Sequence, residues 1–525
     1  MSNVSFESIF ATLETIVGKQ SVLTDEASRT LYSQDVWMRG ELPLCVARPA
    51  SVEQLQKTVA AVVEAGVAVI ARGGGMSYTK GYLPVSTQTV LVDASQLDRI
   101  VEINREDMYV TVEVGCTWQK LYEALKNTGV RTPYWGTLSG NKASVGGSIS
   151  QNSIFWGCGQ WGSAADSVIS LDVVLADGSL LSTGSAAQQN ASPFFRHFGP
   201  DLTGLFTSDC GALGIKAAVT LRLIPDLPAR AAGSFNFTNY PDLLAAMSEI
   251  SRAGLASECY AFDPNLTAQR SRRDLLINDV KAFAGVLKNS GSIFSAIRDG
   301  IKIAFAGRRF MNDLQWPMHV SLEERCDAAA QVALNDVRAI VRKYRGEELE
   351  NSIPTILRAN PFPGVNNMIG PGGERWVPVH GLLPHSKGVA VTDAIEAIYA
   401  RHREKMERAQ VMPGYLFATI STNCIVVEPV FFWPDKLDVL HQVSVDAAYY
   451  EKVHKHQDQP KVKELVATIR QEMVDLFSEI GAVHLQIGKV YRYRDALKPE
   501  ALQLIQQIKH NVDPRGLMNP GVLGL

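Results

Sequence analysis

Two glycine-rich segments are the parts of this sequence whose residue types and spacing best suit chemistry. The first, ARGGGMSY at Ala71–Tyr78, directly follows the apolar run Val67–Ile70, and the second, ASVGGSIS, occupies Ala143–Ser150. A strand that ends in consecutive glycines can turn sharply and direct several backbone N–H groups into one concavity, which binds an anion such as phosphate. Either segment alone could be a structural turn, but together they predict a site for a long ligand with a diphosphate group.

The elements around the first segment alternate between helices and strands. A capping pattern at Ser51–Gln54 predicts the start of an amphipathic helix, which Gly66 ends before the strand at Val67–Ile70. A second amphipathic helix is predicted from Thr117 to Gly129. Further strands are predicted at Thr89–Asp93, Val101–Asn104, Tyr109–Val114, Val168–Ala176 and Ala217–Ile224. Strands mixed with helices at this spacing predict an α+β domain of about 225 residues.

The composition changes after this domain. Ala229–Leu349 is predicted to be rich in helices, and Val280–Phe310 within it is amphipathic with a basic face. That face is either the solvated side of a cap or lid helix pair, or a peripheral contact with an anionic membrane or a redox partner. Arg375–Gly388 and Phe417–Phe432 are predicted as strands of a second sheet, and Tyr449–Val462 as a polar surface loop.

Length, charge and cysteine content restrict the class of protein. With 525 residues the chain exceeds the size at which one core stops growing, so two domains are expected. A net charge of -3 without a basic excess argues against nucleic acid as a partner. The seven cysteines form no CxxC pair, which argues against structural zinc or a disulfide framework and favours a reducing compartment. We find no signal-peptide pattern and no run that could span a bilayer, so a cytoplasmic location is expected.

Five spaced motifs carry a resemblance to a known family. They are Arg72–Gly75 (RGGG), Pro133 through Ser144–Gly147 (SVGG) to Asn152, Val174–Gly178 (VLADG), Asp201–Phe206 (DLTGLF) leading to Gly211–Ile215 (GALGI), and Asp513–Gly516 (DPRG) with Asn519–Gly521 (NPG). In this order they resemble the FAD-binding fold of the vanillyl-alcohol oxidase and p-cresol methylhydroxylase superfamily. A Rossmann fold is the weaker alternative, because the first segment reads GGGMSY rather than GxGxxG and Asp93 fits a strand end as well as a ribose contact.

The resemblance implies an α+β fold with three parts. Residues 1–228 form an FAD-binding domain of the p-cresol methylhydroxylase type, 229–485 form a cap (substrate) domain on an antiparallel sheet, and 486–525 return to the FAD domain. The main-chain N–H groups of both glycine segments would hold the pyrophosphate without a lysine or a metal. The cofactor-binding residues implied are Arg72, Gly73, Gly74, Gly75, Met76, Ser77, Pro133, Ser139, Ser144, Val145, Gly146, Gly147, Asn152, Gly211, Gly214, Ile215 and Asn519.

The resemblance also concerns how the flavin is attached. Relatives with a covalent flavin often carry a histidine in the first loop, where this sequence has Met76, so that linkage is excluded. Phenol-oxidising relatives attach the flavin through a cap-domain histidine or tyrosine, for which His380 is the nearest candidate. The other role for His380 is that of a hydrogen-bonded core histidine beside the flavin. We expect non-covalent FAD.

In phenol-oxidising relatives two tyrosines and an arginine bind the substrate phenolate, and the electron-rich ring then expels hydride. Tyr78, Tyr493 and Arg494 match these positions, and with His380 they are the catalytic residues that the resemblance implies. A guanidinium beside a phenolic hydroxyl suits an oxyanion, because both donate hydrogen bonds and arginine keeps its charge. Tyr493 and Arg494 could instead be an ordinary strand-end pair in a basic stretch.

One departure from the phenol-oxidising pattern lies just before the strand predicted at Val168–Ala176. Where those relatives place an aspartate near the flavin, this sequence has Ser163, with Asp166 three residues on. An insertion at Trp156–Trp161 precedes it, and this tryptophan- and glycine-rich segment either lines the pocket or is a packed loop.

The implied function is that of an FAD-dependent oxidoreductase, either an oxidase or a dehydrogenase. It would take hydride from a C–H next to a hydroxyl, on a para-substituted phenol or aromatic alcohol. One alternative is a D-2-hydroxy-acid dehydrogenase of the lactate or glycolate type. Its HxGDGNxH string is missing and only His484 lies in a comparable place, so no metal is expected. The other alternative is a flavin-binding protein without turnover. The implied partners are a small aromatic substrate, an electron acceptor (oxygen, a cytochrome or a quinone) and further copies of the chain.

Overall fold

The computed structural model of the protein describes residues 6–266, 315–349 and 353–525. These residues form two compact units. Unit 1 comprises Met1–Ile154, Ser163–Pro225 and His484–Leu525, and unit 2 comprises Phe155–Gly162 and Asp226–Val483. The basic segment expected at Val280–Phe310 lies outside the described residues.

Nineteen strands occur in the described part of the chain. In chain order they are β1 (Val22–Leu23), β2 (Cys45–Ala47), β3 (Ala68–Arg72), β4 (Thr89–Asp93), β5 (Ile100–Asn104), β6 (Tyr109–Glu113), β7 (Val130–Arg131), β8 (Val168–Val174), β9 (Leu180–Ser182), β10 (Ile215–Arg222), β11 (Ile224–Pro225), β12 (Ala229–Phe237), β13 (Glu258–Phe262), β14 (Trp316–Glu324), β15 (Glu347–Leu349), β16 (Arg375–Pro378), β17 (Gly381–Leu383), β18 (Met412–Ile420) and β19 (Cys424–Trp433).

The α-helices of the described residues are α1 (Phe6–Val17), α2 (Glu26–Tyr32), α3 (Val52–Glu64), α4 (Trp118–Leu125), α5 (Val145–Gln151), α6 (Cys158–Trp161), α7 (Leu202–Phe206), α8 (Tyr240–Arg252), α9 (Asp327–Lys343), α10 (Ile353–Ala359), α11 (Gly388–Arg408), α12 (Val439–Ser444), α13 (Ala447–Lys452), α14 (Pro460–Glu479), α15 (Tyr493–Ala496) and α16 (Pro499–Val512). Within the ranges the structure describes, no helix is long and apolar enough to cross a bilayer.

Unit 1 contains two main sheets. In the first, with strand order β1-β2-β4-β3, β2, β4 and β3 run parallel and β1 pairs antiparallel with β2. Helix α3 packs on β3 and begins after Ser51, whose hydroxyl accepts the N–H of Gln54 at 3.2 Å. Its buried face includes Leu55, Val59 and Val62, as the apolar spacing predicts. The second sheet, β5-β6-β10-β8-β9, is antiparallel throughout.

The C-terminal segment completes unit 1. Helix α16 ends at Val512, and after it the Asp513 carboxylate accepts the N–H of Leu517 at 3.0 Å. Val69 of β3 donates its N–H to the Leu517 carbonyl and accepts the N–H of Asn519, both at 2.9 Å. The end of the chain therefore lies beside the strand that leads into the first glycine segment.

Unit 2 is built on one antiparallel sheet of eight strands. Seven of them follow the order β15-β12-β14-β13-β18-β19-β16, and β17 also pairs with β19. Helices α8, α9 and α11 pack on this sheet, whose buried apolar side chains include Phe235, Val320 and Phe417. The sheet confirms the antiparallel architecture that the resemblance implies for the central part of the chain.

The structure corrects one prediction about unit 2 and tests another only in part. Ala229–Leu349 was expected to be helix-rich, and its described residues hold the helices α8 and α9 together with four strands, β12 to β15. Nine consecutive residue pairs, from Ala229–Glu324 to Phe237–Trp316, join β12 to β14 and hold its alanine- and glycine-containing sequence extended. Tyr449–Val462 was expected to be a loop, but it begins inside α13 and ends inside α14.

Candidate cofactor and active site

The two glycine segments of unit 1 lie in direct contact. A Cβ atom on Gly74 would overlap the carbonyl oxygen of Lys142, and one on Gly73 would overlap the hydroxyl of Ser144. Ser144 caps helix α5, because its Oγ accepts the N–H of Gly147 at 3.2 Å. Only glycine therefore lets the backbone of the first segment approach the start of α5 this closely.

The first segment carries a row of backbone donors. Among the residues that the structure describes, no acceptor is bonded to the five consecutive N–H groups of Gly73–Ser77. Gly75 and Ser77 are buried, and buried backbone donors are almost always paired in proteins, so such a row fits an anionic ligand. Together with the contact between the two segments, it fits the diphosphate of FAD.

Aromatic residues hold this loop in place. The Tyr82 hydroxyl donates to the carbonyl of Gly75 at 2.8 Å. The Arg72 guanidinium lies 4.6 Å from the centre of the Tyr32 ring and 5.5 Å from that of Tyr82, within range for cation–π contacts. Gly75 has a φ of 72°, and a Cβ there would overlap the Arg72 guanidinium. The loop is thus preformed.

Asn519 joins the C-terminal segment to two other loops of unit 1. Its side-chain amide donates to the carbonyls of Gly81 and Cys210, both at 2.7 Å, and its Oδ1 accepts a hydrogen bond from Lys489 Nζ at 2.8 Å. Residues from the first glycine loop, from the GALGI region and from the chain end therefore meet at Asn519.

The other residues with an implied cofactor role also lie in unit 1. Asn152, with a left-handed φ of 54°, ends α5 and accepts the N–H of Ala165 at 3.1 Å. Gly214 packs so closely on Val173 that a Cβ would overlap its side chain. The full set is Met76, Pro133, Ser139, Val145, Gly146, Asn152, Gly211, Gly214 and Ile215. Their contacts with FAD stay predictions.

Tyr78 lies directly after the first glycine segment and is buried. Its phenol oxygen accepts a hydrogen bond from Gln486 Nε2 at 3.1 Å. Thr79 accepts the N–H of Lys489 at 2.9 Å, so residues 486–489 run beside residues 78–79. The structure thus brings Tyr78 together with the start of the C-terminal segment.

Tyr493 and Arg494 lie further along that segment, in helix α15. Tyr493 is half-buried, and burial raises its pKa. Arg494 is exposed, and its guanidinium donates to the carbonyl of Gly524 at 3.3 Å. Tyr491, two residues before Tyr493, is instead buried, with its ring stacked on His484 at 3.9 Å between centres. The substrate-binding roles of Tyr493 and Arg494 stay predictions.

Gln486 and Lys489 are residues that the sequence reasoning missed. Both lie between His484 and the Tyr493–Arg494 pair, and neither is part of the histidine or tyrosine–arginine motif. The left-handed φ of 45° at Gln486 gives no sequence signal, because glutamine is not typical of that conformation.

Ser163 and Asp166 bond to each other. Both the N–H and the hydroxyl of Ser163 donate to Asp166 Oδ2 at 2.7 Å, so one carboxylate oxygen of Asp166 is engaged within its own turn. The segment before them, Phe155–Gly162, belongs to unit 2. There Trp156 Nε1 donates to the Pro361 carbonyl at 2.9 Å, and the N–H of Gly157 donates to Glu258 at 2.7 Å. This segment is therefore packed within unit 2.

His380 is also part of unit 2, between strands β16 and β17, and it is buried. The neighbouring Val379 donates its N–H to the Pro429 carbonyl at 2.9 Å, which fixes the backbone there. A role of His380 at the flavin stays a prediction. In the described ranges, no three His, Cys, Asp or Glu side chains are grouped so that they could hold a metal ion.

Lys489 leads to a prediction about pH. Its Nζ donates to the carbonyl of Leu83 and to Asn519, and burial lowers its pKa from 10.5 to about 8, against smaller opposing effects of Cys210 and Asp35. The unfolded chain then keeps this proton to a higher pH than the folded chain does. The contribution of Lys489 to the free energy of unfolding is therefore expected to increase as the pH rises from about 8 to 10.5. The same contribution is lost when the pH falls back to about 8.

The measurement compares the free energy of urea unfolding of the parent and of Lys489→Met across that pH range. Subtracting the unfolding free energy of the variant from that of the parent removes the contribution of other titrating groups. A difference between the two proteins that does not change with pH would contradict the lowered pKa.

The comparison with protein families and curated sequences agrees with this geometry. Residues 43–184 match the family described as FAD binding domain. An uncharacterised FAD-linked oxidoreductase of Mycobacterium tuberculosis is 29% identical over 253 residues, which are 48% of this chain and 53% of that protein. The glycolate oxidase subunit GlcD of Bacillus subtilis is 28% identical over 211 residues, 40% of this chain and 43% of that protein. The chain thus spans about half the length of these curated relatives.

Solved structures resemble the chain over its whole length. p-Cresol methylhydroxylase with substrate bound has a TM-score of 0.75 at 16% identity and covers 99% of this chain and 97% of its own. The isoeugenol complex of 4-ethylphenol oxidase from Gulosibacter chungangensis has a TM-score of 0.72 at 17% identity, covering 100% and 98%. Alkyldihydroxyacetonephosphate synthase has a TM-score of 0.70 at 13% identity, covering 99% and 86%. The chain therefore carries an FAD-binding domain, takes FAD as its cofactor and has a fold similar to that of p-cresol methylhydroxylase.

Proposed function

We propose that this protein is an FAD-dependent oxidoreductase that takes hydride from a carbon next to a hydroxyl or on a phenol side chain. Unit 1 is then the FAD-binding domain, and unit 2 is the cap domain that binds the substrate. Bound FAD supplies the hydride acceptor. The chain's own residues would bind the substrate, orient it and stabilise the charge that develops on its oxygen.

The contact between the two glycine segments carries this proposal. Gly73 and Gly74 approach Ser144 and Lys142 closely, and the N–H groups of Gly73–Ser77 are left for a ligand. Such a row of backbone donors can bind a diphosphate without a charged side chain. This arrangement supports a tightly held dinucleotide in unit 1, as the match of residues 43–184 to an FAD-binding family requires.

A para-substituted phenol or aromatic alcohol is the substrate class that we favour. Tyr78 is buried next to the glycine loop, with Gln486 bonded to its oxygen, so its hydroxyl proton is directed away from Gln486. A phenolic donor held in this way suits a substrate phenolate. The match of Arg494 to the arginine of the phenol-oxidising pattern is the reason to assign it the substrate anion as well. Two of the similar folds, p-cresol methylhydroxylase and 4-ethylphenol oxidase, carry phenols in their names.

A D-2-hydroxy acid is the second candidate substrate. The observation that favours it is the relative named as a glycolate oxidase subunit, which is 28% identical over 211 residues. A hydroxy acid would need cationic groups for its carboxylate, and Arg494 is also the candidate for that role.

Anaerobic reduction of the flavin tests both candidates. We expect the purified protein to be yellow, acid precipitation to release the colour because FAD is bound non-covalently, and 4-alkylphenols or vanillyl alcohol to bleach it. Bleaching by D-lactate or glycolate alone would replace the phenol assignment with the second candidate. A flavin that no substrate of either class bleaches would contradict the oxidoreductase proposal.

A further inference from the structure

We propose that Gln486 is a positioning residue for Tyr78, and that it strengthens this tyrosine as a hydrogen-bond donor to the substrate oxygen. The inference rests on the proposed function, since it takes Tyr78 as a group that contacts the substrate. It assigns a role to a residue that neither the glycine motifs nor the tyrosine–arginine pattern indicates.

The hydrogen bond from Gln486 restricts the direction in which the hydroxyl proton of Tyr78 can point. Gln486 Nε2 can only donate, and it lies 3.1 Å from the phenol oxygen of Tyr78. One lone pair of that oxygen is therefore occupied by the amide, and the hydroxyl proton must point elsewhere. Tyr78 is 8% exposed, so water competes little for this contact.

The backbone of Gln486 is held in an unfavourable conformation. Its φ is 45°, in the left-handed region that costs a residue with a side chain about 1 kcal/mol or more. Its N–H donates to the carbonyl of Gln151 at 2.6 Å, which fixes it in this state. Glycine would adopt the same φ without strain but would leave Tyr78 without the amide.

Neighbouring residues fix the register of this segment. The N–H of Lys489 donates to the Thr79 carbonyl at 2.9 Å, and a Cβ on Gly488 would overlap that same carbonyl. The N–H of Gly488 lies 3.4 Å from Cys210 Sγ, which accepts it. Backbone contacts on both sides of Gln486 therefore fix the position from which its side-chain amide reaches Tyr78.

The chemical consequence concerns charge on the phenol oxygen. When Tyr78 donates to a substrate oxyanion, negative charge accumulates on its own oxygen, and a donor bonded to that oxygen stabilises this charge. Gln486 therefore makes Tyr78 a stronger donor, which lowers the pKa of a bound phenol. A residue that only packed against Tyr78 would leave that pKa unchanged.

The test uses 4-nitrophenol, whose phenolate is coloured, bound to the FAD-loaded protein. In Gln486→Met, which keeps the length of the side chain and removes the amide, the pKa of the bound probe is expected to rise by about half to one pH unit. With a phenol substrate, kcat is expected to fall with little change in KM. The matched control is Gln119→Met, since Gln119 is exposed on helix α4.

Further variants separate a positioning role from a structural one. In a Tyr78→Phe background the Gln486→Met change should have no further effect on the probe, because the receiving oxygen is gone. Normal binding of 4-nitrophenol with an unchanged pKa in Gln486→Met would overturn the role of Gln486 alone. If the parent keeps its flavin but binds no 4-nitrophenol, the phenol assignment fails and this role of Gln486 fails with it.

Discussion

A Gly74→Ala variant is expected to purify without bound flavin. Its Cβ would overlap the carbonyl oxygen of Lys142, which is backbone and cannot rotate away as a side chain could. The two glycine segments must then separate, and the N–H groups of Gly73–Ser77 no longer converge on one anion. We expect the affinity for FAD to fall at least about 100-fold, or about 2.7 kcal/mol.

The measurement is a titration of the flavin-free proteins with FAD, followed by the change in flavin fluorescence. Gly388→Ala is the matched control, because a Cβ on Gly388 in helix α11 of unit 2 would meet Ile425 at an ordinary 3.5 Å. Parent-like affinity in Gly74→Ala would contradict the assignment of this loop as the diphosphate site.

The Asp209→Ala variant is expected to show the largest loss of folding stability. Asp209 forms an ion pair with Lys216 inside unit 1, with side-chain exposures of 1% and 3%. Asp209 also accepts the N–H groups of Gly211 at 3.0 Å and Leu213 at 3.3 Å. Its removal leaves a buried lysine and two backbone donors without their partner, which costs about 3–5 kcal/mol.

Urea unfolding measures this loss, with Glu53→Ala as the control for an exposed pair. Glu53 and Lys57 lie on the surface of α3, with side-chain exposures of 74% and 61%, so solvent screens this pair and its removal is expected to change the stability little. The double variant with Asp209→Asn and Lys216→Met should recover part of the stability, because no lone charge remains. Equal losses for Asp209→Ala and Glu53→Ala would show that the buried pair contributes no more than an exposed one.

Local sequence signals predicted much of unit 1. The helix after Ser51 was identified from its capping pattern and the helix after Thr117 from its amphipathic spacing, and in the structure the Thr117 hydroxyl accepts the N–H of Lys120 at 3.2 Å. The first glycine segment was identified because consecutive glycines are rare outside sharp turns. These features depend on residues within a few positions of one another, so the sequence alone carries them.

Features that depend on distant residues were not predictable in this way. The alanines of β12 fit a helix equally well, and pairing with the distant strand β14, from Ala229–Glu324 to Phe237–Trp316, makes them a strand. The membership of Phe155–Gly162 in unit 2 depends on Glu258 and Pro361, far along the chain. The strained backbone of Gln486 likewise depends on the carbonyl of Gln151.

The bonds of Asn519 have a consequence for how the protein is made in the cell. Asn519 donates to Gly81 across 438 residues, so a ribosome adding 5 to 20 residues per second takes roughly 20 to 90 s between the two. During that interval the emerged N-terminal half of unit 1 lacks the strand-like neighbour that Val69 requires. Nascent chains would therefore expose this edge of β3 until residues 517–519 have emerged and paired with Val69.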